Sequence, residues 1–341
     1  MRIPTPSDVL IVGVSSASLA FATILAKGGL NVLVIEKAEN RTEESSGALN
    51  LDAYSVELLK QHGFKINAKT TKQEFEEQSL SLLAHSLCCV IWRTKLHSSV
   101  GHQHQLMQQE SLQTHHSNFV FTLADLEIHP TKTESNFRNV FILTWRVIAV
   151  QLKKVHPFIL HSFDVEKKVI AEFYQDKTEM SFISRFISKI NPSKSTELQL
   201  TDSPINLHLS QQRVLEAGRL LPNLSFYDEK LKRKTSLYQW CSYQYFSLLV
   251  IGKVNAQHVY SIAKWVQLNF DIKLFYLPYS EANDAVFRNL NVKESERRTL
   301  IIRPDKYICM INDTVETDII DNYLRNVLMM NANAEKNLLN N

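Results

Sequence analysis

Thirty residues near the start constrain this chain more than any other stretch. "DVLIVG" (8–13) is an apolar run that ends on a glycine, and "NVLVIEK" (31–37) is a second apolar run. Between them, "SASLAFATILAKGG" (16–29) places Leu19, Ala22, Thr23, Leu25 and Ala26 at helical spacing and stops on Gly28 and Gly29. Unbroken apolar runs suit strands buried on both faces of a parallel sheet. Strand, helix and strand within thirty residues make a βαβ unit, and its right-handed crossover makes the two strands parallel. The chain is therefore expected to be α/β.

The turn inside this unit reads Gly13, Val14, Ser15, Ser16, Ala17, Ser18. Dinucleotide-binding turns use three glycines: one for the tight turn, one for close approach of the backbone to pyrophosphate, one for helix–strand packing. Only Gly13 is present. Ser15 puts a Cβ and a hydroxyl where the pyrophosphate would lie. Ser18 crowds the helix–strand contact, an overpacking that costs about 1–3 kcal/mol if nothing relieves it. A serine hydroxyl can also donate to phosphate, and the helix N-terminus keeps its amides. At the end of the second run stands Glu36, with Lys37 beside it, about twenty residues beyond the turn, where an acidic side chain binds ribose hydroxyls. The alternative is a charged residue closing a strand that leaves the sheet. Gly13, Ser15, Ser18, Glu36 and Lys37 are the candidate cofactor-binding residues.

At 341 residues there is chain enough for two domains. A formal net charge of +3 from 38 basic and 35 acidic residues gives no reason to expect a nucleic-acid partner. Lys230, Lys232, Arg233 and Lys234 are read as a solvated loop. The polar start "MRIPTPSD" is unlike a signal peptide, and "LSLLAHSLCCVIW" is too short to span a membrane, so a cytoplasmic protein is expected. Cys88, Cys89, Cys241 and Cys309 lack CxxC spacing and are expected reduced and mostly buried. His97, His102, His104, His115 and His116 lie in a Gln-rich segment without structured metal-ligand spacing; packed or solvated histidines are the plainer reading, and no metal is assigned. There is no GxSxG elbow of a hydrolase. Only 8 glycines occur, well below the usual ~7%.

From residue 8 to about 65 the chain resembles the FAD-dependent aromatic-ring hydroxylases, flavoprotein monooxygenases such as phenol and p-hydroxybenzoate hydroxylases. The opening unit and "GALNLDAYSVELLKQHGF" (47–64) carry the likeness, although the arginine usual near Tyr54 or Ser55 is missing. "FVFTLADLEI" (119–128) is similar to a strand of that family's substrate-binding layer. "NVFILTWRVIAVQLKKVHPFILHSFDVEKKVIAEF" (139–173) is similar to its long helix, with Trp145, Leu152, Pro157, Leu160, Ser162 and Glu166 in matching places. On its own spacing, Val140, Leu143, Val147 and Val150 form one apolar stripe of a core helix. "HPTKTESNFR" (129–138) stands where the family has a Gly-Asp motif. Farther on, "EAGRLLPNLSF" (216–226) resembles a linker into a thioredoxin-like domain, and "RPD" (303–305) a strand-turn signature of that domain.

The resemblance implies a Rossmann-like FAD-binding domain of glutathione-reductase type over residues 1–190 with the substrate layer shortened to 66–137. A linker over 191–214 and a thioredoxin-like domain over 215–341 would follow. It implies FAD as cofactor, NAD(P)H as electron donor, oxygen and a small phenolic or aromatic substrate, and a homodimer through the C-terminal domain. The alternative is a catalytically inactive homologue with a structural or interaction role, in keeping with the two serines and the absent Gly-Asp motif.

Overall fold

The computed structural model describes residues 7–38, 47–67, 69–84, 89–95, 117–128, 133–179 and 197–332. The histidine segment, Cys88 and the first four residues of "HPTKTESNFR" fall outside them. Contacts divide the chain into two compact units, residues 1–151 and 152–341. The break thus falls well before the boundary expected near 190.

In the first unit, strands β1 (Ser7–Val12), β2 (Val32–Ala38), β3 (Cys89–Lys95) and β4 (Ser117–Thr122) form one sheet in the order β3-β2-β1-β4. Every pairing is parallel: Val12 lies against Ile35, Ile11 against Phe121, and Ile35 against Trp92. The expected βαβ unit is present, with helix α1 (Ser16–Lys27) as its crossover. α1 is buried from Ala17 to Ala26, as befits a helix apolar on every side. Phe21 meets Phe121 edge-to-face, centroids 5.1 Å apart.

β4 corrects an expectation. It is the outer member of the parallel sheet rather than part of a separate substrate layer. Its alternation, Phe119 and Phe121 half-buried, Val120 exposed, is that of an edge strand.

Helices α2 (Ala53–Gln61), α3 (Lys72–Ala84), the single turn α4 (Leu123–Leu126) and α5 (Thr133–Gln151) complete this unit. Of the stripe expected in the core, Val140, Leu143 and Val147 are buried and Val150 is half-buried; burial extends beyond it to every residue from Ser135 to Val147, including Asn136, Arg138, Asn139 and Arg146. Two of these polar side chains bond to nearby backbone: Asn139 donates to the carbonyls of Asp125 and Leu126 at 3.0 and 2.9 Å, and Arg146 donates to the Ile142 carbonyl. The long helix expected over 139–173 is broken. After α5 the chain turns through Lys153 (φ +52) and a 3-10 turn opening on Pro157, then starts α6 (His161–Glu179). Pro157 takes the first position of that 3-10 turn, where a missing amide costs no hydrogen bond.

The second unit contains a five-stranded mixed sheet of β5 (Leu207–Leu209), β8 (Ser247–Gly252), β9 (Lys273–Leu277), β10 (Arg297–Ile302) and β11 (Ile308–Asn312), and a separate hairpin, β6 (Ser225–Asp228) with β7 (Arg233–Ser236). The order is β5-β11-β10-β8-β9. β8 and β9 are parallel, joined by helix α7 (Ala256–Asn269), whose Val259, Ile262 and Val266 face the core. β10 runs antiparallel to both β8 and β11. The expected hairpin at Pro304–Lys306 is present: the Arg303 amide donates to the Tyr307 carbonyl and the Lys306 amide to that of Arg303, both at 2.9 Å. Helix α8 (Thr317–Asn322) continues as wider π-type turns through Val327.

Two stretches expected to link the domains belong to this unit. β5 pairs with β11, and the amides of Gly218 and Leu221 donate to the carbonyls of Ile308 and Lys306. Lys230, Lys232, Arg233 and Lys234 are exposed at the β6–β7 turn, as expected. Among the described residues no helix is long and apolar enough to cross a membrane, and no cluster of His, Cys, Asp and Glu is suited to a metal ion.

Candidate functional site

Open parallel sheets bind ligands outside the carboxyl ends of their strands, where the strand order reverses. Here that place lies between β1 and β4, since β2 and β3 extend the sheet on one side of β1 and β4 lies on the other. Gly13 stands at the end of β1. Its amide donates to the Ile35 carbonyl at 2.8 Å, extending the pairing with β2 by one step. Its φ is +106°, and a Cβ there would lie 2.6 Å from Leu123 Cγ. Glycine is needed at 13 on both counts.

Two residues on, Ser15 is the N-cap of α1 and Ser18 its third residue. Each serine satisfies the other. The Ser15 amide donates to Ser18 Oγ at 2.7 Å, and the Ser18 amide donates to Ser15 Oγ at 3.2 Å. The Ser18 hydroxyl donates in turn to the Ser15 carbonyl at 3.1 Å. This is a reciprocal capping box made by two serines. Ser18 is fully buried, and these bonds absorb the hydroxyl expected to crowd the helix against the strand.

The amides of Ser16 and Ala17 make no hydrogen bond among the described residues. The first turn of α1 contains no acidic residue. The positive end of the helix therefore keeps two unused donors and no compensating carboxylate, the condition for anion binding. Glu36 follows Ile35, the register partner of Val12, so β2 delivers it beside the end of β1. In register with β3, Glu36 lies opposite Arg93 and Lys37 opposite Thr94. Gly13, Ser15 and Ser18 thus form one turn, and the backbone at 36 and 37 sits at the neighbouring strand end.

A second arrangement is invisible in the linear sequence. Arg138 of α5 donates to the Asp52 carboxylate, at 3.1 Å through Nε, and its guanidinium lies 3.8 Å from the centroid of the Tyr54 ring. Asp52 also caps α2, accepting from the Ser55 amide at 2.8 Å. Burial pushes the Asp52 carboxyl up, but Arg138 and the Ser55 hydrogen bonds outweigh it and leave the group below its ordinary value. A guanidinium does reach Tyr54, where the sequence has no arginine nearby; it arrives from 84 positions along the chain. No spacing rule in the sequence points to it.

Residues 6–121 match the family described as FAD binding domain. A comparison with curated proteins finds no match. Solved structures do match. Aklavinone-11 hydroxylase, solved in a ternary complex with FAD and aklavinone, is 11% identical with a TM-score of 0.65, over 96% of this chain and 100% of that one. CabE, an aromatic hydroxylase from angucycline biosynthesis, is 11% identical with a TM-score of 0.55, over 94% and 99%. PyrE3, a Diels-Alderase of pyrroindomycin biosynthesis, is 10% identical with a TM-score of 0.50, over 94% and 99%. At such identities the likeness is one of fold. Residues 6–121 are similar to an FAD binding domain, and the chain shares the fold of aklavinone-11 hydroxylase and CabE.

Proposed function

We propose that this protein binds FAD and acts as an NAD(P)H-dependent monooxygenase on a small phenolic or aromatic ring. The observation that carries the reading is the turn at the β1–β4 switch point: Gly13 at φ +106°, followed by the unused amides of Ser16 and Ala17 on a helix end free of acidic residues. The donor set fits the adenosine-diphosphate half of the cofactor. The amides of Ser16 and Ala17, with the Ser15 hydroxyl, hold the pyrophosphate, and Gly13 lets the backbone come close. Glu36 takes the ribose hydroxyls, and Lys37 adds positive charge nearby. Bound flavin supplies the electron transfer and oxygen chemistry; the chain's residues bind and orient it.

A second reading, a homologue that keeps the fold without catalysis, is favoured by "HPTKTESNFR" in place of a Gly-Asp motif. That a Diels-Alderase shares the fold supports separating fold from reaction. In the second unit, the order β9-β8-β10-β11, with a helical crossover and then a hairpin, supports a thioredoxin-like domain without redox cysteines. A homodimer through that domain belongs to the same reading.

The test is NAD(P)H oxidation by the purified, FAD-loaded protein with a panel of phenols. Aromatic-dependent oxidation with a hydroxylated product is expected. A protein that holds FAD and oxidises neither NADH nor NADPH with any phenol belongs to the second reading.

A further inference from the structure

Helix α5 buries Phe137, Val140 and Phe141, yet two asparagines are buried among them. Polar side chains that leave water are held by the hydrogen bonds they make. Asn139 donates through Nδ2 to the carbonyls of Asp125 and Leu126, at 3.0 and 2.9 Å. With two carbonyls in one place, only the amide nitrogen can face them. Asn136, about one turn earlier, accepts from the Ile128 amide at 2.8 Å. Both asparagines therefore grip the same short segment, the one that follows β4.

That segment lies at the switch point, across β1 and β4 from one another. It turns at once into α4, where the Thr122 amide and hydroxyl both donate to Asp125 Oδ2, at 2.7 and 2.8 Å. The first residue of α4, Leu123, is half-buried. Its side chain fills the place that a Cβ would take at Gly13, 2.6 Å from Leu123 Cγ. A single helical turn does not hold its own shape in water. Here the bonds from α5 hold it, and a line of contacts runs from Asn139 through α4 and Leu123 to Gly13.

We infer that Asn139, assisted by Asn136, is a positioning residue of the cofactor site: it fixes α4, and with it Leu123, against the Gly13 turn. Asn139 is wholly buried, so it acts through Leu123 and not on a ligand. The inference rests on the FAD reading above.

A double-mutant cycle on the FAD affinity of the full chain, read by quenching of flavin fluorescence, tests this. Asn139→Leu keeps the volume and removes both hydrogen bonds; it should raise the Kd for FAD about ten-fold, the equivalent of the bonds lost. Leu123→Ala should raise it by a similar factor. The double variant should bind no more weakly than either single one, because both act on one contact. Should Asn139→Leu not fold, Asn139→Ala takes its place in the cycle. The inference is overturned if the Asn139 variant binds FAD as tightly as wild type. It is equally overturned if the two effects multiply to about a hundred-fold, as they do for independent sites. The FAD reading fails separately if wild type takes up no FAD, and hydrogen exchange of peptides spanning residues 122–128 then reads the hold of α5 on α4. Faster exchange in the Asn139 variant supports that hold; unchanged exchange overturns it.

Discussion

Arg303 and Glu166 meet through two hydrogen bonds, 2.7 Å from Nη1 to Oε1 and 3.1 Å from Nη2 to Oε2, and neither side chain is exposed at all. The guanidinium fork also holds Asp305, at 2.9 Å through Nε, and Ser203 donates its hydroxyl to Glu166 at 2.5 Å. The "RPD" turn and helix α6, 137 positions apart, are thereby fastened into one unit. Removing one member of a buried, hydrogen-bonded ion pair leaves an uncompensated charge and costs about 3–5 kcal/mol. Glu166→Ala is expected to lower unfolding stability by that amount in a urea titration. A loss below about 1 kcal/mol, the range of surface pairs, would show that the carboxylate is not buried against Arg303.

Gly13 is the position in the turn where substitution should be felt most directly. Gly13→Ala forces a side chain to φ +106° and into Leu123, at a cost of about 1–3 kcal/mol for the backbone alone. Loss of FAD affinity should accompany it. Adding Leu123→Ala relieves the contact but not the backbone, so the double variant should recover only part of the stability. Full recovery in a double-mutant cycle would place the constraint in the contact.

Two carboxylates make the fold sensitive to acid. Burial pushes Asp313 up, but the Ser210 hydroxyl, the Gln211 amide and Arg298 hold it below its ordinary value, as Arg138 and Ser55 do for Asp52. A carboxyl held down in the folded protein contributes stability above its unfolded pKa, about 3.9, and that contribution is lost as pH falls through the folded pKa. Stability from these two groups should therefore be level from pH 7 to about 5 and decline below about 4. Asp52→Asn together with Asp313→Asn should flatten that decline in acid titrations followed by circular dichroism.

The cysteines of the second unit should be inert. Burial pushes the Cys241 thiol up to about 11 and that of Cys309 to about 12, so neither carries appreciable thiolate near neutrality. Native protein treated with an alkylating agent at pH 8 is expected to show both unmodified by mass spectrometry and both modified in urea. Native-state labelling at either would contradict their burial.

The parallel sheet was legible because "DVLIVG" and "NVLVIEK" are continuous apolar runs around an apolar helix, a pattern with few other solutions. The turn was legible as a location and not as a structure. Ser15 and Ser18 read as two lost glycines, while their spacing of three, the spacing of a capping box, carried the hydrogen bonds that the fold uses. The family likeness assigns "FVFTLADLEI" to a substrate layer, whereas β4 pairs in parallel with β1, a long-range pairing that its local alternation does not specify. Pro157 marked the break between α5 and α6, but the family likeness read through it. Arg138 on Tyr54 and Glu166 on Arg303 are long-range pairings between residues of ordinary local context, and only the tertiary fold brings them together.

On the function proposed above, the Gly13–Ser18 turn holds FAD. A titration of the purified full chain with FAD, followed by quenching of flavin fluorescence and by the visible absorption of the bound form, tests it most directly, with Glu36→Lys run in parallel. Saturable binding near one flavin per chain, much weakened in Glu36→Lys, is the predicted result. A colourless protein that takes up no FAD at any concentration would contradict the account and leave a fold of the hydroxylases without their cofactor.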